Sequence, residues 1–252
     1  MDEEEAMLLE RLVTEDDTPV DNFYSAKHQR LLVETLQSSW EGPGGNRRFL
    51  VDANVGIFTT VRKPPLVPDV FLSLDVAVEP RWHEKHNRCY LQQHFGKPPE
   101  VVIEIVSNRE GGEDSKKLRG YAEMGVAYYA IFDPENHLRQ GLLRCYALQE
   151  GHYAPLEACW FAGVGLGLTL WYGVYEQIEA EWLRWCDHAG EVIPTGAERA
   201  EQRQRTLDVA LSDIAWRQRA LDMSRADLER ERQEKERLQA KLRELGASLN
   251  GE

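Results

Sequence analysis

The run Pro98-Pro99-Glu100-Val101-Val102-Ile103-Glu104-Ile105-Val106-Ser107 decides the fold. The β-branched residues around Glu104 read as a strand buried in a sheet. A carboxylate desolvated in such a strand is costly unless something cationic neutralises it. Upstream, Pro68-Asp69-Val70 sets a second acid at the start of another apolar strand, and a helix carrying Glu113 and Lys117 follows soon after Glu104. Two strand-borne acids with a lysine nearby suggest a divalent-metal site that cuts phosphodiesters.

Outward from this strand the chain organises itself. After Ser107 it turns through Asn108-Arg109-Glu110-Gly111-Gly112 into a helix over about 113–124, with Gly125 placed as its C′ residue. Tyr128-Tyr129-Ala130-Ile131-Phe132 follows as a buried strand, stopped at Asp133-Pro134. Strand, helix and strand at this spacing form a crossover that sets the two strands parallel in one sheet. Upstream, strand-like runs at about 49–61 and 67–78 read as an antiparallel pair. A polar, aromatic loop over 79–97 leads into the Glu104 strand. A helix over roughly 25–40 comes first, with Leu31, Leu32, Leu36 and Trp40 at helical spacing and Ser25 as its N-cap. Gly42-Pro43-Gly44-Gly45 ends it. The order is α-β-β-β-α-β.

Downstream, residues 141–157 read as a hairpin turning at Glu150-Gly151. The aromatic, glycine-rich stretch 160–175 is expected to pack as irregular strand and turn. Trp182-Leu183-Arg184-Trp185 and Glu191-Val192-Ile193 form a last hairpin around Ala189-Gly190, and Pro194-Thr195-Gly196 marks a boundary. From 197 to 245 there is no glycine or proline, and acids and bases alternate densely, as in one long solvated helix. Ile214, Leu221, Leu228, Leu242 and Leu249 share a heptad position, but Lys235, with Gln218, Arg225 and Arg232 at the partner position, makes a poor seam. A dimerising coiled coil and a lone helix both remain open. The domains so read are an acidic, poorly ordered arm over 1–22, a globular domain over 23–196 and the charged helix over 197–252.

Composition bounds the function. The 252 residues are 42% hydrophobic, which suits one globular domain with an appendage. No stretch approaches a membrane span, and the acidic start lacks the basic residues and apolar run of a signal peptide. Cys89, Cys145, Cys159 and Cys186 are scattered without a CxxC pair, which argues against a disulfide framework or zinc ribbon and for a soluble, cytoplasmic protein with mostly buried thiols. A net charge of −13 argues against a non-specific nucleic-acid coat protein. The first seventeen residues hold eight acids against Arg11, and the tail from Glu198 balances twelve acids with twelve bases, so the core is only mildly acidic.

Hydrolysing a phosphodiester requires an activated water and stabilisation of charge on the transition state. Mg²⁺ does both when one or two carboxylates hold it and leave positions for water and phosphate. Asp69 and Glu104 suit that task on neighbouring strands. A lysine near the cation could orient the water or offset phosphate charge. Lys117 follows Glu113 by four positions, so both face one side of the helix, with Tyr121 one turn further on.

These residues resemble the restriction-endonuclease-like, PD-(D/E)xK nuclease superfamily, and more closely the Uma2 family within it. The matching runs are Val67-Pro68-Asp69-Val70, Val102-Ile103-Glu104-Ile105-Val106-Ser107, Lys117-Leu118-Arg119-Gly120-Tyr121-Ala122, Gly125-Val126-Ala127-Tyr128-Tyr129 and Ile131-Phe132-Asp133-Pro134. Each motif alone is weak, and their order and spacing are more specific. The resemblance spans about 23–195, and the charged tail ending Leu242-Arg243-Glu244-Leu245-Gly246 is similar to tails in that family. It implies an α/β restriction-endonuclease-like core, a mixed sheet flanked by helices, followed here by extra C-terminal hairpins and a long C-terminal helix. It also implies a bacterial endonuclease that hydrolyses DNA with Mg²⁺ or Mn²⁺. One departure matters: the superfamily lysine two residues after the second acid is Val106 here. The family resemblance shifts that task to Lys117 on the next helix, with Lys116 adjacent.

Plainer readings stand beside these. Asp69 alone would be a strand-start acid capping a turn. Glu104 alone would be either a metal ligand or a buried structural ion pair with Lys117 or an arginine. Glu113 and Lys117 could be an exposed i,i+4 pair. His83, His86 and Cys89 lack a fourth ligand for zinc. Arg81, Lys85, Arg88 and Lys97 could touch phosphates at the rim of the site or belong to a solvated loop. Glu34 on the first helix could reach a cation through water or sit on the surface, and Asp52 and Asn54 are undecided. Trp160, Trp171, Trp182 and Trp185 suit a core more than base stacking. Gly163-Val164-Gly165-Leu166-Gly167 lacks the lysine and context of a phosphate loop.

The reading is therefore an endonuclease, with Asp69 and Glu104 on the metal, Lys117 on the water, DNA as substrate and two copies assembled through the tail. The alternative is a degenerate nuclease fold that serves as a binding or scaffold module through its C-terminal helix.

Overall fold

The structure, a computed structural model, describes residues 22–78, 80–107 and 113–249, and of residues 86, 113, 114 and 244–249 the backbone alone. The acidic arm over 1–21, the turn at 108–112 and Glu79 lie outside the described residues. Helix α1 (Phe23–Ser39) begins two residues before Ser25. Its cap is Asn22, whose side-chain oxygen accepts the Ser25 N–H at 2.9 Å, so the expected Ser25 cap is corrected. A capping oxygen must stand ahead of the first turn to reach the orphan amides, and Ser25 lies within it. Leu31, Leu32 and Leu36 are wholly buried. Gly42, at φ 82°, turns the chain out of the helix, and a Cβ there would lie 1.9 Å from the Arg47 carbonyl oxygen.

The central sheet has six strands. In spatial order they are β1 (Phe49–Ala53), β3 (Val70–Leu74), β5 (Val101–Ile105), β6 (Tyr128–Phe132), β7 (Leu143–Gln149) and β8 (His152–Pro155). Strands β5 and β6 are parallel, and every other neighbouring pair is antiparallel. The parallel pair is joined by a π-type turn over Glu113–Lys117 and helix α3 (Leu118–Met124). Gly125, left-handed at φ 84°, ends α3. The loop before β5 is more structured than expected. It contains β4 (Tyr90–Leu91), parallel to β2 (Ile57–Phe58), and the single-turn helix α2 (Gln92–Phe95). The result is the mixed α/β sheet of a restriction-endonuclease-like core.

Strict alternation assigns each strand residue to a face. Val70, Leu72, Leu74, Val101, Ile103, Ile105 and Phe132 join one buried cluster with Leu32 and Leu36 of α1. Phe71, Val102, Val106, Tyr129 and Ile131 join a second, with Tyr121 of α3. Glu104 falls in the second set and is buried completely.

Beyond β8 a second antiparallel sheet forms from β9 (Trp160–Phe161), β10 (Leu166–Tyr175) and β11 (Ile178–Cys186). One expectation is corrected here. The stretch over 160–175 holds a ten-residue strand, and the main hairpin turns at Glu176-Gln177, where φ is 46° and 65°. Positive φ at both central positions gives the twist that a two-residue hairpin needs. The hairpin read around Ala189-Gly190 forms as a short one: Cys186 bridges Val192 antiparallel, the Asp187 N–H donates to the Glu191 carbonyl at 2.9 Å and the Ile193 N–H to the Trp185 carbonyl at 2.9 Å. The Glu150-Gly151 hairpin between β7 and β8 forms as read, with φ 49° and 82°. Phe161, Leu166, Leu168, Leu183 and Trp185 of the second sheet pack into the α1 face of the core.

The cysteine reading is also corrected. Cys145 of β7 and Cys159 are disulfide-bonded with Cα atoms 5.3 Å apart, and Cys89 and Cys186 are free and buried. Cys145 points into the α1 face, where the segment ahead of β9 crosses it. The bond removes one support from the cytoplasmic expectation. Among the described residues no helix is long and apolar enough to cross a membrane.

The chain divides into two units after Gly196. The second is helix α4 (Gly196–Leu249), whose described side chains from 200 to 243 are all exposed. Leu207, Ile214, Leu221, Leu228 and Leu242 are among them. Ion pairs one turn apart, Glu201–Arg205, Asp213–Arg217 and Arg232–Glu236, run along it.

Candidate active site

The antiparallel register of β3 on β5 pairs Val70 with Ile103. Carried one step further, it sets Asp69, the residue before β3, opposite Glu104, and the Asp69 charge acts on the Glu104 carboxyl. Asp69 is half-buried. Its Oδ2 accepts the Ile105 N–H at 2.6 Å, and its Oδ1 accepts Nε2 of Gln29 at 2.8 Å. Gln29 stands on α1, and its Oε1 accepts Nδ2 of Asn54 at 2.9 Å. Asn54 follows β1 at φ 55° and gives its own N–H to the carbonyls of Pro68 and Asp69 at 3.2 and 3.3 Å.

Both oxygens of Glu104 are engaged from the crossover. Lys117 donates Nζ to Oε2 at 2.7 Å, and Tyr121 donates its hydroxyl to Oε1 at 2.8 Å. Lys117 and Tyr121 are four residues apart, so one helical face presents both. Burial pushes the Glu104 carboxyl up to about 8; Lys117 opposes this, and the Asp69 charge adds to it. Tyr121 is pushed well above its ordinary value by its own burial and then by Glu104. The pair of carboxylates is thus under-neutralised, and added positive charge beside it would be favourable.

The residues fit a hard divalent cation. Among the described residues no group of three or more His, Cys, Asp or Glu converges as in an all-protein cage. Mg²⁺ needs less, because it commonly takes one or two carboxylates and keeps water in its remaining positions. The bonds from Ile105 and Gln29 take one acceptor site on each Asp69 oxygen, of the four or so a carboxylate has, so they are compatible with ligation.

The structure therefore brings Asp69, Glu104, Lys117 and Tyr121 together. Val106, in the usual lysine position, is 1% exposed within the apolar cluster of Val102, Tyr121 and Ile131. Lys116 is exposed, and the Glu113 side chain lies outside the described residues. Glu34 Oε1 accepts the Gly196 N–H at 2.8 Å, and five positions after Gln29 it faces a different side of α1. Asp52 is exposed and bonds its neighbour Ala53 N–H. The loop cations are engaged elsewhere. Arg81 pairs with Glu84 at 3.2 Å, and Arg88 Nε donates to the His83 carbonyl at 3.0 Å. Lys85 is exposed. Lys97 pairs with Glu100, at the opposite end of β5 from Glu104. Four residues of strand separate those glutamates, roughly 13 Å at the usual rise, so Lys97 does not rim this site. His83 is exposed and Cys89 buried, while the His86 side chain lies outside the described residues.

Sequence reasoning overlooked Gln29. A signal was present, since Gln29, Leu32 and Leu36 share one helical stripe, and a buried amide on such a stripe requires partners.

Compared with protein-family models, the chain matches that of Uma2, described as "Putative restriction endonuclease", over residues 15–164. The match covers more than half of the chain, which belongs to the Uma2 family. No curated protein matches it.

Proposed function

We propose that this Uma2 chain is an endonuclease that hydrolyses DNA phosphodiester bonds with Mg²⁺ or Mn²⁺ held by Asp69 and Glu104. The observation that carries the reading is that Asp69, at the head of β3, accepts the Ile105 N–H at 2.6 Å and adds its charge to Glu104 of β5, with Lys117 Nζ 2.7 Å from Glu104. When bound, the cation would supply Lewis-acid activation of water and charge stabilisation at the phosphate. Asp69 is turned toward the site by the bonds from Ile105 and Gln29, so it binds without first being ordered. Glu104 is raised to about 8 by burial and ionises when positive charge is added beside it. Lys117 stands at the carboxylate pair, placed to donate to the attacking water or to the scissile phosphate. Tyr121 keeps Glu104 oriented while Lys117 is so engaged. Two copies paired through the exposed leucines of α4 would offer one site to each DNA strand.

The test is nicking of supercoiled plasmid with Mg²⁺ or Mn²⁺, against EDTA. Asp69→Asn, Glu104→Gln and Lys117→Ala should each lower the rate at least about 100-fold, as removal of a transition-state-stabilising group does. Nicking that survives EDTA, or persists at the wild-type rate in Glu104→Gln, would sink the proposal.

A further inference from the structure

We propose that Gln29, with Asn54 behind it, is the positioning residue of the metal site, fixing how the Asp69 carboxylate is turned. The inference rests on the nuclease reading and deepens it. Gln29 is 5% exposed, so its amide cannot rely on solvent for hydrogen bonds. Oε1 accepts from Asn54 Nδ2 at 2.9 Å, and Nε2 donates to Asp69 Oδ1 at 2.8 Å and more distantly to Asn54 Oδ1 at 3.4 Å. The reversed amide would set oxygen against the Asp69 oxygen and nitrogen against the Asn54 nitrogen. The acceptor-only carboxylate thus selects the orientation that presents a donor to it, and Asn54, whose amide can donate or accept, takes up the Gln29 oxygen.

The backbone enforces the same geometry. The left-handed Asn54, at φ 55°, ties its N–H to the carbonyls of Pro68 and Asp69. One residue therefore grips the Asp69 backbone directly and its carboxylate through Gln29. An amide is the suitable chemistry here. It donates a hydrogen bond without adding a charge, whereas a glutamate at 29 would add a third acid beside two that already repel.

The experiment is Mn²⁺ titration by calorimetry on the full chain, with thermal unfolding in parallel. Gln29→Met keeps the side-chain volume and lacks the amide; Asn54→Gly keeps the positive φ and lacks its amide. Gln29→Met should weaken Mn²⁺ binding about 10- to 100-fold, the usual effect of removing a group that orients a ligand, with little change in unfolding temperature. Asn54→Gly should weaken binding less, because Asn54 is more exposed, and the double variant should bind no worse than Gln29→Met alone. Asp69→Asn is the companion variant. If it loses Mn²⁺ while Gln29→Met binds within twofold of wild type, the Gln29 proposal is overturned and the nuclease reading stands. If Asp69→Asn binds Mn²⁺ as wild type does, the metal reading fails and the role of Gln29 with it.

Discussion

Tyr121 donates its hydroxyl to Oε1 of Glu104 at 2.8 Å, one helical turn beyond the lysine that takes Oε2. A wholly buried carboxylate is thus satisfied on both oxygens from a single helix face. Tyr121→Phe should cost about 1–3 kcal/mol, the penalty for stranding a buried acceptor. The Tyr121 bond lowers the Glu104 pKa, so its loss raises that pKa further. The destabilisation should be larger at pH 9, where Glu104 is ionised, than at pH 6, where it is protonated. Urea unfolding at the two pH values measures the difference, and an equal loss at both would contradict the assignment.

Glu104→Gln should separate stability from activity. The carboxyl sits at about 8 in the fold against an ordinary 4.5, so folding takes up a proton between those values. Stability therefore falls as pH rises through that window, by linkage. Gln removes the titration, so the melting temperature of the variant should gain on that of the wild type, by several degrees, from pH 5 to pH 8.5. Nicking should be abolished in the same variant. A melting difference that stays constant with pH would refute the assigned shift.

The sequence carried the centre of this fold because its signals are local there. Glu104 interrupts a continuous apolar strand, Gly125 ends the helix behind it, and the spacing of the two strands demands a crossover. The second sheet was less legible for an equally physical reason. Gly167 and Gly173 lie inside β10, where glycine normally suggests a break. A Cβ at Gly173 would lie 2.1 Å from the Trp171 ring, so this glycine makes room for an aromatic and leaves the strand intact. The Glu176-Gln177 turn has no glycine to announce it. Gln29 on Asp69 and Cys145 on Cys159 depend on which elements meet in space, and local spacing does not reveal that.

His28 predicts a second pH response, of the opposite sign to that of Glu104. Its ring is fully buried, packed against Tyr24, Phe132 and Trp182, and neither nitrogen has a hydrogen-bond partner among the described residues. Burial holds its pKa down at about 4, against 6.5 for the ordinary group. The unfolded chain binds the extra proton between those values, so stability is lost as pH falls from 6.5 toward 4. At 1.36 kcal/mol per unit the full loss is about 3 kcal/mol. His28→Phe keeps the aromatic packing and should flatten that part of the stability curve. Equal slopes in variant and wild type would show that another group titrates there.

Reduction should loosen the domain. The Cys145–Cys159 bond closes a loop with a sequence separation of 14, and a loop of about 15 residues contributes about 3 kcal/mol in the chain-entropy model. Dithiothreitol should lower the melting temperature by about 6–12 °C, at 2–4 °C per kcal/mol for a chain of this size. The double variant Cys145→Ser, Cys159→Ser should melt at that lower temperature and be indifferent to dithiothreitol. A wild-type protein that melts alike with and without reductant would argue that the bond contributes nothing.

Val106 explains why the site draws its lysine from the crossover. It shares the α3 face with Glu104, but its surroundings are Val102, Tyr121, Val126 and Ile131, and it is 1% exposed. A lysine there would bury its ammonium among apolar side chains. Lys117 reaches Glu104 while staying a quarter exposed, so its stem can be buried and its charge remain solvated. Val106→Lys should therefore destabilise the fold by several kcal/mol. The double variant Val106→Lys, Lys117→Ala should regain none of the nicking lost in Lys117→Ala. Recovery in that double variant would mean that the Val106 position can still serve the chemistry.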